Sequence, residues 1–276
     1  MIHDLRRHTS GFTILETIIV LTVTIALLGS TLVLFQQRVP RTQFIKAVNE
    51  LNTQITDVAS QVAAGNYPTS NNFSCDVDVN GVPVLNPGTS EQGTNQNCIF
   101  VGQAIKFGKA SAVTCTNPGV ECDDLKVFTI FGNRTGDDLV GAKPQISSVY
   151  ANQSYKNGFG LSVTKIKPNN ASADVYSGVA YTLSFGSGEV AGNRIGPSQV
   201  AINPILGSVN DTESTFVSNF GPASLQTAPS QGILVCLKSG TTDQRAVIIL
   251  GADGNPSSVE MVIVNNTEWG STYGCL

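Results

Sequence analysis

Few side chains in this 276-residue chain are placed to do chemistry. Glu16 is an ionisable carboxylate at the head of an apolar run, four residues past Phe12. A carboxylate at the centre of a membrane-spanning helix costs about 2.5 to 3.5 kcal/mol, and less near an end, so Glu16 calls for a positive partner. The six cysteines, Cys75, Cys98, Cys115, Cys122, Cys236 and Cys275, all lie beyond the apolar run. An even number in an exported segment reads as disulfides; about fifteen connectivities are possible, and proximity favours Cys75 with Cys98, Cys115 with Cys122, and Cys236 with Cys275. Zinc would need close thiolate or imidazole pairs such as Cys-x-x-Cys, and none occurs. Both histidines, His3 and His8, precede Gly11. The rest of the chain therefore lacks Ser–His and Cys–His nucleophilic pairs and imidazole metal ligands. The adjacent acids Asp123-Asp124 and Asp137-Asp138 read as solvated loop residues, and general acid–base work would need a placement that spacing does not supply. Gly158-Phe159-Gly160 and Gly186-Ser187-Gly188 are turn signals with no following helix to cradle a phosphate. No catalytic residue, metal or cofactor is expected.

The element that must position Glu16 is the uncharged stretch 17–35. At about 1.5 Å per helical residue it spans roughly 28 Å, close to the hydrocarbon thickness of a bilayer. A secretory signal peptide would place small residues after its apolar core, whereas Gly29 and Ser30 lie inside this run. An uncut anchor accounts for the span and for Arg6 and Arg7 on the cytoplasmic side, but not for Gly11-Phe12 followed by Glu16.

Those residues, Gly11-Phe12-Thr13-Ile14-Leu15-Glu16 behind a short polar leader, resemble the type IV pilins and the type II secretion pseudopilins. The resemblance covers residues 1 to about 64. It implies a leader of residues 1–11, a prepilin peptidase cutting between Gly11 and Phe12, and N-methylation of the new Phe12 amine. It further implies a pilin helix over 12–64, spanning the inner membrane at about 17–35 before assembly, and an extracellular domain over 65–276. Other pilin subunits would be partners through the N-terminal helix, in a pilus outside the cell or a periplasmic pseudopilus. The chemistry is consistent, because an α-amino group of pKa about 7.7 to 8.0 is mostly cationic at neutral pH and neutralises a carboxylate in apolar surroundings. Glu16 of one subunit would meet Phe12 of a neighbour. Along a helix, Glu16 precedes Phe44 by about 40 Å, so its effect is expected between subunits.

Composition agrees with export. The formal charge is -4. Arg6, Arg7 and Asp4 contribute +2 - 1 = +1, so the remaining side chains carry -5. Nucleic-acid binding, which rests on clustered Lys and Arg, is not supported. Only 13% of residues are charged, and 27 are Gly, as suits a turn-rich β domain better than a helical enzyme.

Beyond the apolar run, Pro40 predicts a kink or local break. Phe44, Val48, Leu51, Ile55, Val58 and Val62 then recur at steps of four and three, predicting an amphipathic helix. Lys46, Asn49, Glu50, Thr53, Asp57 and Ser60 form its opposite face, and Gly65-Asn66-Tyr67-Pro68 is the stop signal. Residues 76–84 alternate around Asn80-Gly81, a hairpin signal. Asp76, Asp78, Asn80 and Gly81 also open like a calcium loop, but position 12 is Pro87 where a bidentate Glu is required. Further strands are predicted over 99–107, 125–131, 159–165, 175–185, 233–238, 246–250 and 259–264, with no second helix. Residues 193–203 and 210–231 read as loops.

The expected fold is α+β, a long N-terminal helix packed on a mostly antiparallel β domain. Residues 232–237 and 245–254 resemble the closing hairpin of GspH/FimT-type minor pilins, and also read as a generic hairpin. Some members of that group bind DNA through arginines just after the last strands; residues 251–254 contain none, so that property does not carry over. Trp269 and Tyr273 read either as a contact patch or as sheet cover. The resemblance implies a structural subunit, a minor pilin given the large β domain. A membrane-anchored adhesin or DNA-uptake receptor is the alternative.

Overall fold

The computed structural model describes residues 13–65, 73–88, 97–108, 124–136, 138–156, 161–171, 173, 175–183, 200–240, 242–252, 255 and 258–276. They fall into two compact units, Met1–Thr42 and Gln43–Leu276. The fold is α+β, with an apolar N-terminal helix and antiparallel sheets.

Helix α1 runs over Ile14–Ala63, with Pro40 inside it. The break suggested by Pro40 does not occur. Proline removes one backbone bond of the helical ladder, and the bonds of the turns on either side continue the helix. At the far end, Ala64 donates to the Ser60 carbonyl and Gly65 to that of Val62, both at 2.9 Å. Gly65 has φ +66°, the left-handed conformation that terminates helices.

In the second unit, Phe44, Val48, Leu51, Ile55, Val58 and Val62 of α1 are buried. They share one core with strands from two sheets. The five-stranded sheet has the order β5–β4–β3–β7–β8, built from Asn152–Lys156, Asp124–Asn133, Cys98–Lys106, Tyr176–Leu183 and Val200–Leu206. The four-stranded sheet has the order β11–β10–β9–β6, built from Val259–Val264, Arg245–Leu250, Ile233–Ser239 and Leu161–Pro168. A separate hairpin pairs β1, Phe73–Val77, with β2, Pro83–Pro87. Every strand pairing among the described residues is antiparallel.

The continuous apolar runs of β9 and β10 have a structural cause. Ile233, Val235, Leu237, Ala246, Ile248 and Leu250 join the core that contains α1. Leu234, Cys236 and Val247 belong to a second cluster with Val264, Trp269 and Cys275. Both faces of these strands are covered, so alternation with polar residues disappears. Each fully buried side chain of this size contributes about 1.5 to 3 kcal/mol.

Three expectations are corrected. Residues 210–231 are not all loop, because they contain helix α2, Glu213–Asn219. Thr212 caps it by accepting from the Thr215 amide at 3.2 Å, and Phe216 and Phe220 pack on Ala104, Phe128 and Ile130 of the five-stranded sheet. A third helix, α3, covers Asn266–Ser271 and opens with a reciprocal Asn265–Glu268 capping box. Residues 200–203, read as loop, belong to β8; Pro204 sits in that strand because an edge position needs no amide donor there. Of the two readings of Trp269, sheet cover is the one found: it is 6% exposed, with the Arg245 guanidinium 5.2 Å from its ring centroid.

The hairpin loop uses its acids locally. Asp78 Oδ1 accepts from the amides of Asn80 and Val82, each at 2.8 Å, and Gly81 adopts φ +77°. Asp76 Oδ1 accepts from the Val77 amide at 2.8 Å and from Asn97 Nδ2 at 2.9 Å. These oxygens shape the turn.

Candidate functional site

The candidate site is the start of α1. Thr13 precedes the first helical residue, Ile14, which makes Glu16 the third residue of the first turn. Glu16 Oε2 accepts from both the amide and the hydroxyl of Thr13, each at 3.0 Å. The Glu16 amide donates back to Thr13 Oγ1 at 3.3 Å. This reciprocal pair is a capping box, which satisfies amides that the helix leaves orphaned. Its signal was present in the sequence as Thr-x-x-Glu before an apolar run, and it gives Glu16 a role within its own chain.

Behind the cap, Ile14–Thr31 is long and apolar enough to cross a membrane. Its large side chains, among them Ile18, Leu21, Ile25 and Leu28, are more than half exposed. Five hydroxyls interrupt the run, and each finds a main-chain acceptor one turn earlier. Thr17 donates to the Ile14 carbonyl, Thr22 to Ile19, Thr24 to Val20, Ser30 to Leu27, and Thr31 to both Leu27 and Leu28. No hydroxyl therefore needs water, which makes the segment compatible with lipid or with close packing against other helices. Gly29 leaves open space on this surface.

Of the other residues singled out from the sequence, Gly11, Phe12, Cys115 and Cys122 lie outside the described residues. Cys75 is joined to Cys98, tying β1 to β3. Cys236 is joined to Cys275, tying β9 to the segment after α3. Both bridges lie within the second unit.

Among the described residues of the second unit, Lys106, Lys167 and Arg245 are buried cations that sequence reasoning missed. Lys106, at the end of β3, is 4% exposed and donates to the Phe107 carbonyl at 3.4 Å. Lys126 lies opposite it in the ladder and pairs with Glu213 at 2.6 Å. Burial pushes the Lys106 ammonium below its ordinary range, and the charges of Asp211 and Glu213 oppose that shift more weakly. A lysine at a strand end carries no sequence signal for burial. Between the depressed value and 10.5 the unfolded chain binds more protons at this site than the folded one. Stability from this group accordingly rises with pH through that window, and the burial penalty is fully present below it. The expected result is that Lys106→Met raises the urea midpoint at neutral pH, and that its advantage over wild type shrinks as pH approaches 10.5. A pH-independent difference would contradict this.

No family model matches the chain, and no curated protein or solved structure matches it. Among the described residues no group of three or more His, Cys, Asp or Glu side chains is placed to hold a metal ion.

Proposed function

We propose that this protein is a pilin-like structural subunit, a minor pilin of a type IV pilus or a pseudopilin of a type II secretion system. A prepilin peptidase removes residues 1–11 and the Phe12 amine is methylated. The subunit first resides in the bacterial inner membrane as a single-pass protein with its disulfide-bonded domain outside. Assembly then withdraws the apolar helix from lipid and packs it against the same segment of other subunits, placing Glu16 beside a neighbour's Phe12 amine. The protein has no catalytic role and no nucleic-acid partner in this reading.

The observation that carries the reading is the charge at the head of an exposed apolar helix. Ile14–Thr31 presents an apolar surface on which every hydroxyl is internally bonded, and Glu16 is the only acidic or basic residue in it. Helix–helix association in a filament covers such a surface, and a neighbour's terminal cation compensates such a carboxylate. A second reading, an uncut membrane anchor for an adhesin or uptake receptor, is favoured by the Thr13–Glu16 capping box, which occupies the carboxylate without any neighbour.

Intact-mass measurement of membrane-extracted protein separates the two. The expected mass begins at Phe12 with one added methyl group. A mass that retains residues 1–11, in cells with an active prepilin peptidase, would establish the uncut anchor.

A further inference from the structure

We infer that Asn210 is the acceptor of an N-linked glycan, transferred to its side-chain nitrogen from a sugar activated as a diphosphate. The pilin and plain-anchor readings both leave residue 210 outside the cytoplasm, so the assignment does not depend on a choice between them. The triplet Asn-x-Ser/Thr, with x other than Pro, is the unit such transfer recognises: the amide supplies the nucleophile and the hydroxyl two residues on is read with it. Six occur in the chain, opening at Asn72, Asn133, Asn152, Asn170, Asn210 and Asn265. Those at Asn133, Asn152, Asn210 and Asn265 lie wholly within the described residues, and their surroundings separate them.

Three of the four are committed to the fold. Asn133 Nδ2 donates to the Gly81 carbonyl at 3.0 Å, and its Oδ1 accepts from the Thr135 amide and hydroxyl at 3.0 and 2.9 Å, so both the nucleophile and the hydroxyl of that triplet are occupied. Asn152 lies in β5, with Nδ2 donating to the Ser148 carbonyl at 2.7 Å. Asn265 Oδ1 accepts from the Glu268 amide at 2.8 Å in the cap of α3, and Thr267 is already inside that helix. A transferase would have to unpick a hairpin contact, a strand or a helix cap to reach these amides.

Asn210 is different. Its side chain is exposed and makes no hydrogen bond among the described residues, while the turn that carries it is held from beneath. Val209 is 3% exposed and packs into the core. The Ser208 amide donates to Asp211 Oδ2 at 2.8 Å, the Asp211 amide to the Ser208 carbonyl at 3.0 Å, and the Asn210 amide to Ser208 Oγ at 3.2 Å. These bonds use the main chain and leave the Asn210 amide group outward. Thr212 is also exposed and has extended backbone, φ -68° and ψ 162°, so the triplet ends before α2 begins. A rigid, exposed turn with a free amide can be gripped by a second protein after folding. In the transfer, Asn210 Nδ2 forms a bond to the anomeric carbon as the bond from that carbon to the diphosphate oxygen breaks; the diphosphate leaves with the electron pair, and Nδ2 gives one proton to a base of the transferase.

The test is peptide mass mapping of the full chain purified from its own cells. The peptide that contains Asn210 is expected to be heavier by a whole number of sugar residues, with the peptides of Asn133 and Asn152 unmodified. Thr212→Asp is the decisive variant: aspartate still caps α2 by accepting from the Thr215 amide, so the fold and its urea midpoint are kept, but the hydroxyl that the transferase reads is gone and the added mass is lost. Thr212→Ser keeps both cap and hydroxyl and retains the sugar. Two sources of donor share this chemistry, and they are separated by offering the unmodified chain in detergent either to membranes of the same cells, which carry lipid-linked sugars, or to their soluble extract with UDP-glucose. An Asn210 peptide of unmodified mass in protein from those cells, a sugar that persists in Thr212→Asp, or a sugar at Asn133 or Asn152 in place of Asn210 would each overturn the assignment. None of these readings depends on whether the mass of the chain begins at Phe12, so failure of the filament reading and failure of this one are told apart.

Discussion

Glu16→Gln is expected to leave the protein in the membrane fraction at wild-type level and to lower its amount in sheared surface filaments. Glutamine at this position keeps the capping box, because its side-chain oxygen still accepts from the Thr13 amide and hydroxyl. Helix initiation and membrane insertion are therefore preserved, and only the charge is lost. In the membrane that loss relieves a desolvation cost. In a filament it leaves the cationic Phe12 amine of a neighbour in apolar surroundings without its counter-charge. Removing one partner of a buried pair typically costs about 3 to 5 kcal/mol, enough to deplete the subunit strongly from assemblies. Glu16→Ala is the matching control. It removes charge and cap together, and losing a side-chain cap at a helix start costs about 1 kcal/mol. If the two variants incorporate as well as wild type at equal expression, Glu16 is a helix cap in a plain anchor. If Glu16→Gln incorporates normally while Glu16→Ala does not, the cap rather than the charge governs assembly.

Loss of the Cys236–Cys275 bond is expected to destabilise the β domain by about 2 to 5 kcal/mol, with a chain-entropy value of roughly 4 kcal/mol for a loop of this length. The bridge spans 39 residues with its Cα atoms 5.8 Å apart. Both cysteines are almost completely buried, packed with Leu234, Val247, Val264 and Trp269. Without the bridge, α3 is held over the sheet by Trp269 and its contact with Arg245. The measurement is the urea midpoint of Cys275→Ala and of Cys236→Ala against wild type. Alkylation of the native protein should label none of Cys75, Cys98, Cys236 and Cys275 before reduction. A change below about 1 kcal/mol would mean that packing alone fixes the segment, since that is the size of an ordinary surface effect rather than of a structural disulfide.

Much of the positioning framework was written in local pattern. The uncharged stretch behind Glu16 specifies an apolar helix, because a helix satisfies its own backbone hydrogen bonds in apolar surroundings and its length and lack of charge need no tertiary partner to be recognised. Strands β3, β4, β6, β7, β9, β10 and β11 were visible as β-branched and aromatic runs between turn residues, and β1–β2 through Asn80-Gly81. Burial on two faces also explains why β9 and β10 read as continuous apolar runs.

What escaped the pattern depends on partners distant in sequence. β5 is Asn-Gln-Ser-Tyr-Lys, a polar segment that becomes a strand through backbone pairing with β4, which its side chains do not advertise. β8 and α2 lie in stretches that look like loops. β8 exists because β7 supplies its ladder, and α2 because Thr212 caps a turn whose Phe216 finds a place on the sheet. A seven-residue helix has too little length for its own periodicity to be decisive, and isolated helices that short are unstable in water.

The sequence by itself determined the apolar span, the lone carboxylate at its head, the class of the domain and the even cysteine set, because these are properties of composition and local spacing. Tertiary structure alone decided that Trp269 lies beneath Arg245 and that Lys106 is buried. Each of these depends on which segment comes to rest against which, and burial and desolvation exist only once two distant stretches of chain share a surface.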